Sequence, residues 1–220
     1  EIRFAAMLKL WSRSFAPSQI SIVKATSYTS ELAEEILGRA YAPRALMMYV
    51  TPEVYIATIL AGPNAREEMR VLASSKVARL NKRFGDARWD VAGLSEGEAV
   101  AASWAAEMAA LTAAADAHED QVRWLNFEHF LDTPHKQLGT AFAHFGINAS
   151  LNQMTAILEG PDMRRYAKAT EHEYSRELRN AVLDEARARD GGEIKRGLAW
   201  LKAQGAEVPF IQRALEIAKR

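Results

Sequence analysis

Val122-Arg123-Trp124-Leu125-Asn126-Phe127-Glu128-His129-Phe130-Leu131-Asp132-Thr133-Pro134 is the stretch on which the fold turns. Its first five residues make a short apolar run suited to a buried strand. An aromatic–acid pair and a short turn follow, and Thr133-Pro134 starts a helix. Proline is tolerated at a first helical position because that N–H has no intrahelical partner. Leu138, Phe142 and Phe145 then share one face, and Gly146 supplies a C-terminal cap. Two earlier runs, Ile20–Lys24 (ISIVK) and Ala45–Val50 (ALMMYV), have the same strand character. Three short strands separated by helices imply parallel crossovers. The expected fold is therefore α/β, a parallel sheet flanked by helices in a helix-rich chain.

Outward from the strands, helix signals are dense. Phe4, Met7, Leu8, Trp11 and Phe15 predict an amphipathic helix over 2–15, broken by Pro17. Thr26, Ser27, Thr29 and Ser30 offer caps for a helix beginning near Thr29, with Glu31, Glu34 and Glu35 at its positive end. Gly38 and Pro43 bracket its end. Thr51-Pro52-Glu53 starts a helix that Gly62-Pro63 ends, and Asn64–Glu67 and Ser95–Glu98 read as capping boxes. Ser150–Gln153 opens a further helix, stopped by Gly160-Pro161. A polar segment, 161–175, and three more helical stretches complete the chain.

The whole-chain numbers bound the function. A length of 220 residues fits one domain, 1–220, with a sizeable core. Lys and Arg number 28 and so do Asp and Glu, a balance that argues against a nucleic-acid-coating protein or a membrane-surface binder. With no cysteine, a disulfide framework, a thiolate metal site and a cysteine nucleophile are excluded. The five histidines show no zinc-hydrolase spacing, so no metal site is expected. No apolar run approaches the ~18 residues of a membrane span, and the expected location is cytoplasmic.

The strand–Phe127-Glu128–turn–Pro134–helix pattern, ending in Phe145-Gly146-Ile147, resembles that of the sulfotransferase family, which has a P-loop nucleotide fold. Val23-Lys24 with Thr26 is similar to the family's strand ending in Lys-Thr. Strand 45–50 followed by Pro52 and Thr58 is similar to its strand, Arg-(Asn/Asp)-Pro and Ser arrangement. Arg165-Tyr166-Ala167-Lys168 resembles the Tyr-Ser-Lys segment of some bacterial members. The likeness covers roughly residues 20 to 180, and the order of the motifs carries it more than any one of them.

The resemblance implies transfer of a sulfuryl group from 3′-phosphoadenosine 5′-phosphosulfate (PAPS) to a hydroxyl or amine acceptor, whether a small molecule or a glycan or lipid hydroxyl. It places Lys24 and Thr26 in the catalytic positions and Thr58, Phe127, Arg165, Tyr166 and Lys168 against the cofactor. The match departs from the pattern at two positions: Val50 stands where the family has Arg, and Thr26 where many members have a catalytic His. Arg44 and Arg66 are candidates to replace the lost charge. None of the twelve glycines is followed by Lys, so the phosphate loop does not occur in these residues. The chain opens on Glu1 with only three strands, and the expectation is a missing first βα unit.

Plainer readings stand beside these. Lys24 also reads as a solvated strand end, Thr51 as a helix cap and Thr58 as a hydroxyl bonded back to the preceding turn. Glu128 reads as a structural acceptor, Trp124 and Phe127 as core. The cations Arg164, Arg165 and Lys168 read as a solvated face. The alternative function is a non-catalytic, helix-rich interaction domain; a nucleotide kinase on the same fold lacks an evident phosphate loop, acid or arginine cluster.

Overall fold

The computed structural model describes residues 2–16, 19–39, 41, 43–166 and 169–219, with backbone alone for Ile2, Ser27, Tyr28, Tyr166 and 169–172. Two of the expected strands form and pair: β1 (Ala45–Tyr49) and β2 (Val122–Asn126) run parallel, from Ala45 opposite Val122 to Tyr49 opposite Asn126. Parallel neighbours require a long crossover, here filled by α3 (Pro52–Ala61), α4 (Pro63–Phe84) and α5 (Glu96–Ala117). Before β1 come α1 (Ile2–Trp11), a 3-10 turn (Ser27–Leu32) and α2 (Ala33–Leu37). After β2 come α6 (Phe127–Asp132), α7 (Pro134–Phe145) and α8 (Leu151–Leu158). A small antiparallel pair follows, β3 (Arg165–Tyr166) with β4 (Ala169–Glu173), then α9 (Arg176–Glu207) and α10 (Pro209–Ile217). The fold is thus helix-rich α/β with a small two-stranded parallel sheet.

The predicted third strand does not form. Ile20–Lys24 has no ladder partner among the described residues, and its apolar side chains point to solvent, Ile22 being 63% exposed. β-branched residues favour a strand only where a neighbouring edge supplies hydrogen bonds and packing. Lys24 and Thr26 therefore do not stand at a strand end. The 2–15 helix stops at Trp11, leaving Phe15 exposed, and the expected break at Pro17 lies outside the described residues. Gly62-Pro63 joins two helices directly, with Pro63 as first residue of α4, so the expected Asn64–Glu67 box is not used. The three expected last helical stretches form, the first two running into one another as α9 across a kink at Asp190 and the third being α10.

Other local signals are realised as physics dictates. The Thr51 hydroxyl accepts from the Val54 N–H ahead of Pro52, and the Ser95 and Ser150 boxes both close. Gly146 takes the left-handed cap at φ 71°.

The core gathers around α5, whose Val100, Trp104 and Met108 and many alanines are buried. Small side chains let neighbouring backbones come close. A methyl on Gly197 would lie 2.5 Å from the Gly97 oxygen and 2.9 Å from Ile56 Cδ1, so α5 and α9 touch backbone to backbone there. Beside this crossing Glu193 pairs with Arg196 and accepts the Gly97 N–H at 2.8 Å.

The Arg196 pair first, and then the Gly97 N–H, hold the Glu193 carboxyl at about 2, well below its ordinary 4.5. A depressed folded pKa contributes stability that is present above the unfolded value and lost as pH falls through the folded one. Wild-type protein should therefore lose stability through Glu193 between about pH 4.5 and 2, by roughly 1 kcal/mol after screening at the exposed Arg196. Glu193→Gln should flatten that part of the acid limb in urea unfolding. An unchanged slope would remove Glu193 from this role.

A second polar cluster lies between α4, α5 and the 3-10 turn. Lys76 is 3% exposed and pairs with Glu107, which also accepts from Arg79 at 2.9 Å and from Ser30. Arg79 reaches on to Glu31 at 3.0 Å. The turn carrying Ser30 and Glu31 is thereby tied to the helical core.

Candidate functional site

In open parallel sheets the chain leaves each strand at its carboxyl end, and the connecting loops there form a crevice. Here β1 leads through Val50-Thr51 into α3, and β2 leads through Asn126 into α6. Asn126 accepts the Glu128 N–H at 2.9 Å, so Phe127 and Glu128 belong to a first helical turn rather than a loop. Beneath them Tyr49 and Trp124 meet edge to face, their centroids 5.8 Å apart.

The charges at this end come from α9. Arg179 donates to both oxygens of Glu128, at 3.0 and 2.6 Å, and lies over the Phe127 ring at 5.4 Å. Arg187 donates to both oxygens of Glu53, at 2.8 and 3.0 Å. Arg176 pairs with Asp132. Two-pronged arginine–carboxylate pairs are among the stronger polar contacts. The bond to Glu53 is the largest of the effects that raise the Arg187 pKa above its ordinary value. Aromatic, acid and guanidinium thus make one unit at β2, faced by an acid–guanidinium pair at the start of α3.

Sequence reasoning did not pick out these three arginines, yet a signal exists. At about 100° per residue, positions 176, 179 and 187 fall within about 80° of one another on a helix. Their partners lie 44, 51 and 134 residues away, and that distance hid the pairing.

The expected site residues divide. Phe127 stands at the sheet end, its ring also stacked with Phe130 at 6.2 Å. Thr58 is exposed, and its hydroxyl donates to the Val54 carbonyl at 2.7 Å, the plainer of its two readings. Lys24 and Thr26 are exposed on the unpaired segment before the 3-10 turn. Arg165 pairs with Glu173 in β3–β4, and the Tyr174 N–H donates to the Arg164 carbonyl at 2.8 Å. The expected polar loop therefore contains a short antiparallel strand pair that leads into α9. Tyr166 is described by its backbone only, in β3, and Lys168 lies outside the described residues.

The two arginines expected to stand in for an arginine at Val50 are both engaged elsewhere. Arg44 precedes β1, at its far end, and donates to the His144 carbonyl at 2.5 Å. Arg66 pairs with Asp190 at 2.9 Å. Val50 itself packs on the core and gives its carbonyl to the Trp104 indole at 3.2 Å. Among the described residues no group of acids and histidines could hold a metal, and no helix is long and apolar enough to cross a membrane. The chain matches no protein-family model, no curated protein and no solved structure.

Proposed function

We propose that the protein is a sulfotransferase-like enzyme that takes PAPS and passes its sulfuryl group to a hydroxyl or amine. The observation that carries this reading is the Phe127–Glu128–Arg179 unit at the carboxyl end of β2. It gathers an aromatic ring, stacked on Phe130 and covered by Arg179, with planar guanidinium groups of the kind that bind phosphate, which a ligand would have to take over from Glu128 and Glu53. In the reaction the acceptor oxygen or nitrogen bonds to sulfur as the bond from sulfur to the bridging phosphate oxygen breaks. The electron pair leaves on that oxygen, where fixed positive charge lowers the barrier; the resemblance gives that role to Lys24, which stands exposed on the unpaired segment before the 3-10 turn. The acceptor proton leaves to water, because Thr26 is a hydroxyl and not a base. A cytoplasmic location accords with the absence of cysteine.

A second reading has one observation in its favour. Ile20, Ile22 and Val23 stand exposed beside Lys24 and Thr26, as they would in a non-catalytic interaction domain.

Calorimetric titration of adenosine 3′,5′-bisphosphate separates the two. Residues 1–220 should bind weakly, because no phosphate loop occurs in them, and Arg179→Ala should weaken that binding at least about tenfold, about 1.4 kcal/mol. No binding at millimolar ligand would discard the enzyme reading.

A further inference from the structure

We infer that residues 176–189 of α9 form a hinged arm, latched over the carboxyl end of the parallel sheet by arginine–carboxylate pairs and pivoting at Asp190-Gly191-Gly192. The backbone supplies the first reason. Asp190 departs from helical geometry, at φ −111° and ψ 17°, at the kink where two helical stretches join to make α9. Two glycines follow it, and a methyl on either would meet nothing within 4 Å. Packing does not require glycine there, so what the pair contributes locally is a softer helix.

The two sides of the pivot are held very differently. Downstream, Ile194, Gly197, Trp200, Leu201 and Gly205 are buried, and Gly197 touches the α5 backbone. Upstream, only Leu183, 3% exposed, and Ala186 are buried; Leu178 remains 50% exposed. Detaching the arm therefore uncovers little apolar surface, and segments with few buried contacts open locally at low cost. The pivot itself is pinned: Asp190 pairs with Arg66 and Arg189, and Arg189 donates to the Leu60 carbonyl at 2.8 Å. Bending is thus confined to one place.

What holds the arm down is ionic. Arg176, Arg179 and Arg187 engage Asp132, Glu128 and Glu53, the last two at the strand ends. A phosphate or sulfate ester entering that crevice competes with these carboxylates for the same guanidinium groups, so the arm acts as a gate that such a ligand resets. The gating role rests on the reading of the sheet end as an anion site; the hinge does not.

Hydrogen exchange read by mass spectrometry tests both. In wild-type protein, amides of 176–189 should exchange at least about tenfold faster than those of 194–205. Glu53→Gln with Glu128→Gln should speed the arm further and leave 194–205 unchanged, and Gly191→Ala with Gly192→Ala should slow it. Equal protection across 176–205 overturns the hinge, and an arm indifferent to the two glutamine substitutions overturns the latch. Adenosine 3′,5′-bisphosphate, against sodium chloride of equal ionic strength, should change exchange in the arm alone. Binding seen by calorimetry with arm exchange unaltered overturns the gate and spares the site reading. Absence of binding removes the site reading and the gate together, and the hinge stands or falls on the wild-type contrast.

Discussion

Replacing Gly197 by alanine is expected to cost the protein about 3 kcal/mol, the upper part of the range for overpacking a core. The added methyl meets the Gly97 carbonyl at 2.5 Å and Ile56 Cδ1 at 2.9 Å. Ile56 is fully buried and the carbonyl belongs to the α5 backbone, so neither neighbour has free space to move into. Helix α9 must retreat from α5, and the buried side chains on either side of the crossing lose contact. Gly97→Ala should be at least as severe, because its methyl would fall 2.6 Å from the Glu193 carbonyl carbon, again backbone. Gly93→Ala, where a methyl meets nothing within 4 Å, is the control and should be close to neutral. For a chain of this length 3 kcal/mol corresponds to a fall in Tm of about 6–12 °C. A Gly197→Ala protein melting within about 1 °C of wild type would show that the helices do not depend on this close approach.

That crossing also marks where the sequence could be read and where it could not. Signals confined to one turn of chain were legible: Thr51-Pro52 started α3, the Ser95 and Ser150 boxes opened α5 and α8, and Gly146 ended α7. Each is complete within a few residues, so no distant partner is needed to interpret it. Ile20–Lys24 failed for the opposite reason. Its composition suits a strand, but a strand exists only where an edge receives it, and β1 pairs with β2 instead. The antiparallel pair of β3 and β4 was hidden by its polarity, since neither strand presents an alternating apolar face. At the candidate site Phe127 and Glu128 were visible as an aromatic–acid pair after a strand. The arginine that engages both was not, because Arg179 lies 51 residues further along. Gly97 and Gly197 are legible as glycines, but nothing local shows that each needs the other.

Glu107→Ala is the second substitution expected to be costly, at about 3–5 kcal/mol. Glu107 is 12% exposed and serves Lys76, Arg79 and Ser30 at once. Its loss takes one carboxylate partner from a lysine that is 3% exposed. Breaking one side of a buried pair is costly because the remaining charge stays desolvated, whereas removing both sides at matched volume is often neutral. Lys76→Met with Glu107→Leu should accordingly recover much of the stability lost by Glu107→Ala alone, measured by urea unfolding. A double variant as unstable as Glu107→Ala would mean that lost packing, and not the stranded charge, sets the cost. The two variants should behave alike at the N-terminal side. Ser30 and Arg79 lose the Glu107 carboxylate in both, while Arg79 keeps Glu31. The 3-10 turn at Ser27–Leu32 should therefore exchange its amides faster in both variants, even where the double substitution restores the helical core. In the proposed enzyme that turn follows directly on Lys24 and Thr26. Glu107 then acts as a positioning residue, and the double variant should be stable yet impaired in turnover while its affinity for adenosine 3′,5′-bisphosphate is unchanged. Equal loss of affinity and turnover would place the effect at the sheet end instead.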